Sequence, residues 1–173
     1  VLAKHAYAAS LLALDVEKEY TAICEGCLEG EGTICAPIRI KAGHGIQREV
    51  GEGETAQTAI THWKAAGWDA LRSHTLLHIR LETGRTHQIR VHLSHLGHPL
   101  AGDNWYGGSR DLISRQALFC SRVRFAHPVT QEPVALSVPL PEDMQILLSR
   151  KEEADASRHH AFSSRAAGLG AAF

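Results

Sequence analysis

The residues best suited to chemistry are concentrated in Leu81–His92, LETGRTHQIRVH. Arg85 to His92 holds two arginines, two histidines and a glutamine, with Gly84 just before them. Such a set can hold a phosphate, a metal, a catalytic carboxylate or only water on a solvated helix face. Across the wider span Arg72–His98, the arginines Arg72, Arg80, Arg85 and Arg90 stand against a lone acid, Glu82. A metal fits poorly. Helix-borne zinc pairs place histidines at i and i+4, whereas His87, His92, His95 and His98 miss that spacing and have no Asp or Glu among them. An anion fits better. Arg85 precedes a helix N-terminus, where free N–H groups and the helix dipole attract negative charge. Arg90, a turn further in, suits a two-pronged grip on a partly buried carboxylate.

The elements that must position this cluster follow from periodicity. HTLLHIRLE alternates, with Leu77, Ile79 and Leu81 on one side and His78, Arg80 and Glu82 on the other, so it predicts a strand. A turn at Thr83–Gly84 leads into a helix with Thr86 as N-cap. Ile89, Leu93 and Leu96 are expected as its buried stripe, and Arg90 shares another face with His87 and Ser94. Gly97 and Pro99 end it. VEKEYTAIC (Val16–Cys24) predicts a strand with Val16, Lys18, Tyr20 and Ala22 on one face. VLAK reads as a short strand and Ala6–Leu14 as a helix. EGCLEGEGTICAPI is expected to be a loop or hairpin. GIQREV and TAITHW are expected to form a hairpin across GEGE. GDNWYGGS reads as a loop, ALFCSRVRFAHP and EPVALSVPLP as late strands, and Glu142–Ser149 as a short helix. The fold class is α+β, a mixed and mainly antiparallel sheet flanked by a few helices.

The bulk numbers set limits. The 173 residues, 44% apolar and 21% charged, suffice for one domain burying roughly 70% of its unfolded surface. A net charge of −1 excludes a polycation, so any nucleic-acid role rests on a local patch. No run approaches a membrane span. Residues 1–150 are expected to form one domain, N-terminally incomplete because the chain starts at Val1 in mid-strand. Residues 151–173, rich in Ala, Ser and charge without apolar period, are expected to be a disordered tail. CEGC (Cys24, Cys27) has knuckle spacing, but Cys35 and Cys120 form no second pair, so reduced structural thiols are the better reading.

Taken with its surroundings, LETGRTHQIRVHLSHLGHPLAGDNWYGG (Leu81–Gly108) resembles the signature of RluA-type RNA pseudouridine synthases. VEKEYTAI, GTICAPI, TAITHW and RQALFCSRVRFAHPVTQEPVALSVPLPEDM resemble further segments of that family in the same order. The resemblance covers about Val1–Leu148. It implies a pseudouridine synthase catalytic domain, here partial, an isomerase of uridines in ribosomal or transfer RNA. It implies no metal or organic cofactor, RNA as the partner, a cytoplasmic monomer and no membrane. It places the family's uracil-stacking tyrosine on Tyr20 and the arginine that pairs with the catalytic aspartate on Arg90. Arg85, Thr86, His87 and Gln88 fall on the rest of that motif, as cleft residues that bind substrate. Leu118 falls near the family's apolar residue beneath the site.

One departure matters most. The family's nucleophilic aspartate sits in a histidine–arginine–leucine–aspartate motif followed by threonine–serine–glycine, and this sequence contains neither. Asp15 and Asp103 lack that context. The expectation is a chain inactive alone. The alternative is a non-catalytic RNA-binding relative.

Overall fold

The computed structural model describes residues 16–150. The predicted strand at VLAK, the helix at Ala6–Leu14 and the tail from Lys151 lie outside the described residues. The alternation in VEKEYTAIC does produce a strand, β1 (Glu17–Glu25). Its middle, Thr21–Cys24, is buried on both faces. Such burial requires neighbours on either side. These are β6 (His74–Leu81) and β7 (Leu118–Ala126), both antiparallel to β1.

With β2 (Glu31–Cys35), β5 (Ile60–Trp68) and β8 (Pro133–Ser137), they form a six-stranded sheet in the order β2-β5-β6-β1-β7-β8. Every ladder among the described strands is antiparallel. The α+β class stands. The pairing of GIQREV does not follow the expected hairpin. Its strand β4 (Arg48–Val50) pairs with β3 (Ile38–Ile40) in a separate two-stranded ribbon, and β5 pairs with β2 and β6. GTIC, within the segment expected as a loop or hairpin, forms strand β2 and pairs with β5. Sheet partners here are chosen by which face each strand can bury, a non-local matter that turn residues alone do not decide.

Two apolar layers sandwich the sheet. On one face, α1 (Gln88–His95) lays Ile89 and Leu93 over Ala22, Cys24, Leu77 and Ile79. On the other, α2 (Glu142–Leu148) sets Met144 and Leu147 against Ile23, with Ala101, Ile113 and Ala117. Burying each such Leu or Ile contributes about 1.5–3 kcal/mol. The expected stripe on α1 is corrected at its end. Leu96 is the C-cap and 40% exposed, while Val91 and His92 are buried. The helix is only eight residues long, so Leu96 falls where Gly97, at φ 85°, turns the chain away.

Candidate active site

Strand β6 delivers the chain to Thr83, and a tight junction turns it into α1. Gln88 forms this junction. Its Oε1 accepts from Thr83 Oγ1 and Arg85 N, both at 2.9 Å. Its Nε2 donates to Ile60 O and Thr61 Oγ1. The residue is 2% exposed, so Gln88 holds the entrance and does not face the cleft. The N-cap is also corrected. It is His87, not Thr86, in the left-handed region at φ 57° and without a side-chain cap. A non-glycine residue there costs about 1–3 kcal/mol, and such positions cluster at functional sites. Arg85 and Thr86 are exposed, and Arg85 Nε donates to Thr58 O.

Arg90 points from α1 onto Asp103. Nε donates to Oδ2 and Nη2 to Oδ1, each at 2.7 Å. The pair is largely buried, with side-chain exposures of 13% and 1%. This hydrogen bonding raises the Arg90 pKa further above its ordinary value, against the opposing effect of burial. The acid that Arg90 grips among the described residues is Asp103, which lacks the context of the family's nucleophile. Only the side-on edge of the guanidinium is taken. Nη1 has no hydrogen-bond partner among the described residues.

Asp103 is held by its own loop. Its carbonyl accepts from Tyr106 N and Gly108 N, and its N–H donates to Leu100 O. The close turn requires glycines. A Cβ on Gly102, at φ 79°, would collide with the carbonyl of Arg115, and one on Gly108 with the carbonyl of Leu100.

The same loop brings Trp105 and Tyr106 over Arg90, with Cζ 5.5 Å and 4.7 Å from their ring centroids. The Tyr106 hydroxyl accepts from Arg48 N at 2.9 Å and meets His87 Nδ1 at 2.8 Å. The phenol must donate its proton, and Nδ1 is its acceptor among the described residues. Burial and the nearby Arg90 charge lower the His87 pKa, which keeps the ring neutral and able to accept. Ser94 Oγ closes the set by donating to Tyr106 O. The face predicted to join His87, Arg90 and Ser94 therefore converges on Tyr106.

Tyr20 lies on β1, opposite Ile79 and Cys120. Tyr20 and Leu118 are partly buried and pack against the cluster that contains Ile89, the residue before Arg90. No hydrogen bond joins Tyr20 to Arg90 among the described residues. Burial raises the Tyr20 pKa, with Cys120 adding to it, so the ring stays neutral and offers a face, not a base. Two other histidines of the cluster are committed to the protein. His92 spans Thr61 Oγ1 and Ala36 O, and His98 meets Glu25 O. Among the described residues, no three of His, Cys, Asp or Glu converge as metal ligands. Burial pushes the Cys24 thiol up to about 12, which unfits it as a thiolate ligand.

Sequence reasoning passed over Asp103, Trp105, Tyr106 and Arg48 as functional. A usable signal existed: an acid between glycines, shortly after arginines that lacked one.

The sequence and the fold of the chain both match known proteins. The family described as RNA pseudouridylate synthase matches residues 1–95. The chain is 46% identical over 153 residues to the Uncharacterized RNA pseudouridine synthase YhcT of Bacillus subtilis (strain 168), covering 85% of this chain and 50% of that protein. It is 39% identical over 165 residues to the Ribosomal large subunit pseudouridine synthase D of Xanthomonas campestris pv. campestris, covering 87% and 49%. The solved structure of Human RNA Pseudouridylate Synthase Domain Containing 1 superposes with a TM-score of 0.65 at 28% identity, over 76% of this chain and 58% of that one. The chain belongs to the RNA pseudouridine synthase family. It spans about half the length of the curated relatives it matches.

Proposed function

We propose that this chain carries the arginine side of an active site that isomerises uridine to pseudouridine in RNA. The observation that carries the reading is the side-on pairing of Arg90 with Asp103. It fixes the guanidinium and leaves its Nη1 end for a second carboxylate. Asp103 is itself a poor nucleophile, since both its oxygens are bound to Arg90 and its side chain is 1% exposed. The attacking carboxylate is therefore delivered to Arg90 from beyond these residues. There the arginine keeps it ionised in a dry pocket.

In the proposed reaction the target base leaves its stack, at a cost of a few kcal/mol. Tyr20 returns about 1–3 kcal/mol by stacking, with Leu118 beneath. The carboxylate assists at C1′ as the N1–C1′ bond breaks. The uracil turns and C5 bonds to C1′; the C5 proton is released and N1 takes up a proton. Arg85, Thr86 and His87 shape the cleft entrance and contact RNA, while Gln88 acts through them. Ribosomal RNA is the favoured substrate, on the likeness to a relative named for the large ribosomal subunit. Residues 1–150 act as one domain. The protein works as a cytoplasmic monomer without metal or organic cofactor. Among the described residues, no helix is long and apolar enough to cross a membrane.

Release of tritium from RNA labelled at uracil C5 tests this. The chain alone is expected to release none. Fused behind the upstream segment of the Bacillus subtilis relative, it is expected to turn over, and Arg90→Ala to abolish most of that. Robust release by the unfused chain overturns the reading. A fusion that binds RNA without release favours the non-catalytic relative, the reading prompted by the missing nucleophile motif.

A further inference from the structure

Beside the Arg90–Asp103 pair, a second cleft of about 340 Å³ opens between the β3–β4 ribbon and α1. Its volume lies within the roughly 300–1,000 Å³ of small-molecule sites. Lys41, Arg48, His95 and Trp105 contribute to its walls. Trp105 is 46% exposed, although an indole of that size normally buries itself. It is also held in place. Its neighbours Asp103 and Tyr106 are tied to Arg90 and Ser94, so the ring is a fixed platform. Lys41 and Arg48 form no ion pair among the described residues. The acid in the cleft wall, Glu49, is occupied by Arg39 at 2.9 Å. An exposed indole sharing a cleft with unopposed cations is the combination that single-stranded nucleic acid selects: stacking for a base, charge for the phosphates.

We propose that this cleft is a subsite for a nucleotide flanking the reacting uridine in single-stranded RNA. Its base stacks on Trp105 and its phosphate lies between Lys41 and Arg48. This deepens the reading of the chain as an RNA pseudouridine synthase and rests on it. No base-edge donors or acceptors need be read, so the subsite sets register and affinity more than sequence.

Fluorescence anisotropy of a short labelled single-stranded RNA with the whole chain tests the subsite. Trp105→Ala is expected to weaken binding about ten-fold, and Trp105→Phe far less. Lys41→Gln and Arg48→Gln are each expected to weaken binding and to lower the salt slope by about 0.7. An abasic oligomer of equal length should bind the unmodified chain as RNA binds Trp105→Ala. RNA should also quench tryptophan emission of the unmodified chain but not of Trp105→Phe, which retains Trp63 and Trp68 and needs no repacking. Equal affinity of RNA for Trp105→Ala and the unmodified chain overturns the proposal. So does an abasic oligomer that binds as tightly as RNA. Binding is read here without turnover. Trp105-dependent binding by a fusion that releases no tritium overturns the enzymatic reading alone. Trp105-independent binding by an active fusion overturns the subsite alone.

Discussion

Arg90 and Asp103 meet through two parallel hydrogen bonds of 2.7 Å, one from Nε and one from Nη2. This fork–fork contact ties helix α1 to the loop that follows it. Because the carboxylate is 1% exposed, breaking the pair leaves a buried charge alone. Asp103→Asn keeps the shape and removes the charge. It is expected to cost about 3–5 kcal/mol in urea unfolding. The double change Arg90→Met with Asp103→Leu should recover much of that, since an apolar pair leaves no charge to desolvate. Unchanged stability in Asp103→Asn would show that the pair is not a buried ion pair.

Gln88 yields a second prediction. Its amide meets two donors and two acceptors. Gln88→Glu replaces the donating NH₂ with an oxygen facing Ile60 O and Thr61 Oγ1. The loss is expected to be at least about 1–3 kcal/mol, the cost of an unsatisfied buried group. Hydrogen exchange at the Arg85 amide should speed up as the junction loosens. Protection equal to that of the unmodified chain would contradict this role.

The strands were legible because their signal is local. Leu77, Ile79 and Leu81 alternate with His78 and Arg80, and that alternation alone places β6. The acid for Arg90 was not legible in the same way. Asp103 is thirteen positions on, across a helix end and a loop without period. Gln88 reads as a polar cleft residue. Its burial depends on Ile60 and Thr61, which only the β5–β6 pairing brings to it. His87 reads as an ordinary helical residue, and its left-handed backbone is set by the turn it closes. The partner of GIQREV was misjudged because GEGE announces a turn without saying which strands meet across it.

His92 carries a pH dependence. Ala36 O can only accept, so Nε2 holds the proton and Nδ1 accepts from Thr61. Burial lowers the His92 pKa, with His95 adding to it and the Ala36 bond opposing. Above the unfolded value of about 6.5 both states are neutral and the contribution is complete. As pH falls below that, the unfolded chain takes up a proton that the folded one refuses, and stability is lost toward the folded pKa. Thermal melts should therefore show Tm falling from pH 7 to pH 5. His87, lowered chiefly by burial, acts in the same sense. His92→Gln should melt lower at pH 8 but with a shallower acid slope. An unaltered slope would place the titration elsewhere.

Two glycines of the signature should respond oppositely to the same change. Gly84 has nothing within 4 Å of a built Cβ and no positive φ. Gly84→Ala removes freedom mainly from the unfolded chain, so it should be neutral or stabilising by up to about 1 kcal/mol. Gly108 also lacks a positive φ, but its Cβ would strike the carbonyl of Leu100, which is backbone and cannot swing away. Gly108→Ala must shift the loop, at a cost of about 1–3 kcal/mol or more. That loop carries Asp103 and Trp105, so the damage should extend past stability. RNA affinity should fall toward that of Trp105→Ala, and the Arg90 grip should loosen as it does in Asp103→Asn. Denaturant unfolding and anisotropy on the two variants decide the matter. A Gly108→Ala chain as stable as Gly84→Ala, with unchanged RNA binding, would mean that the tight turn does not position the site.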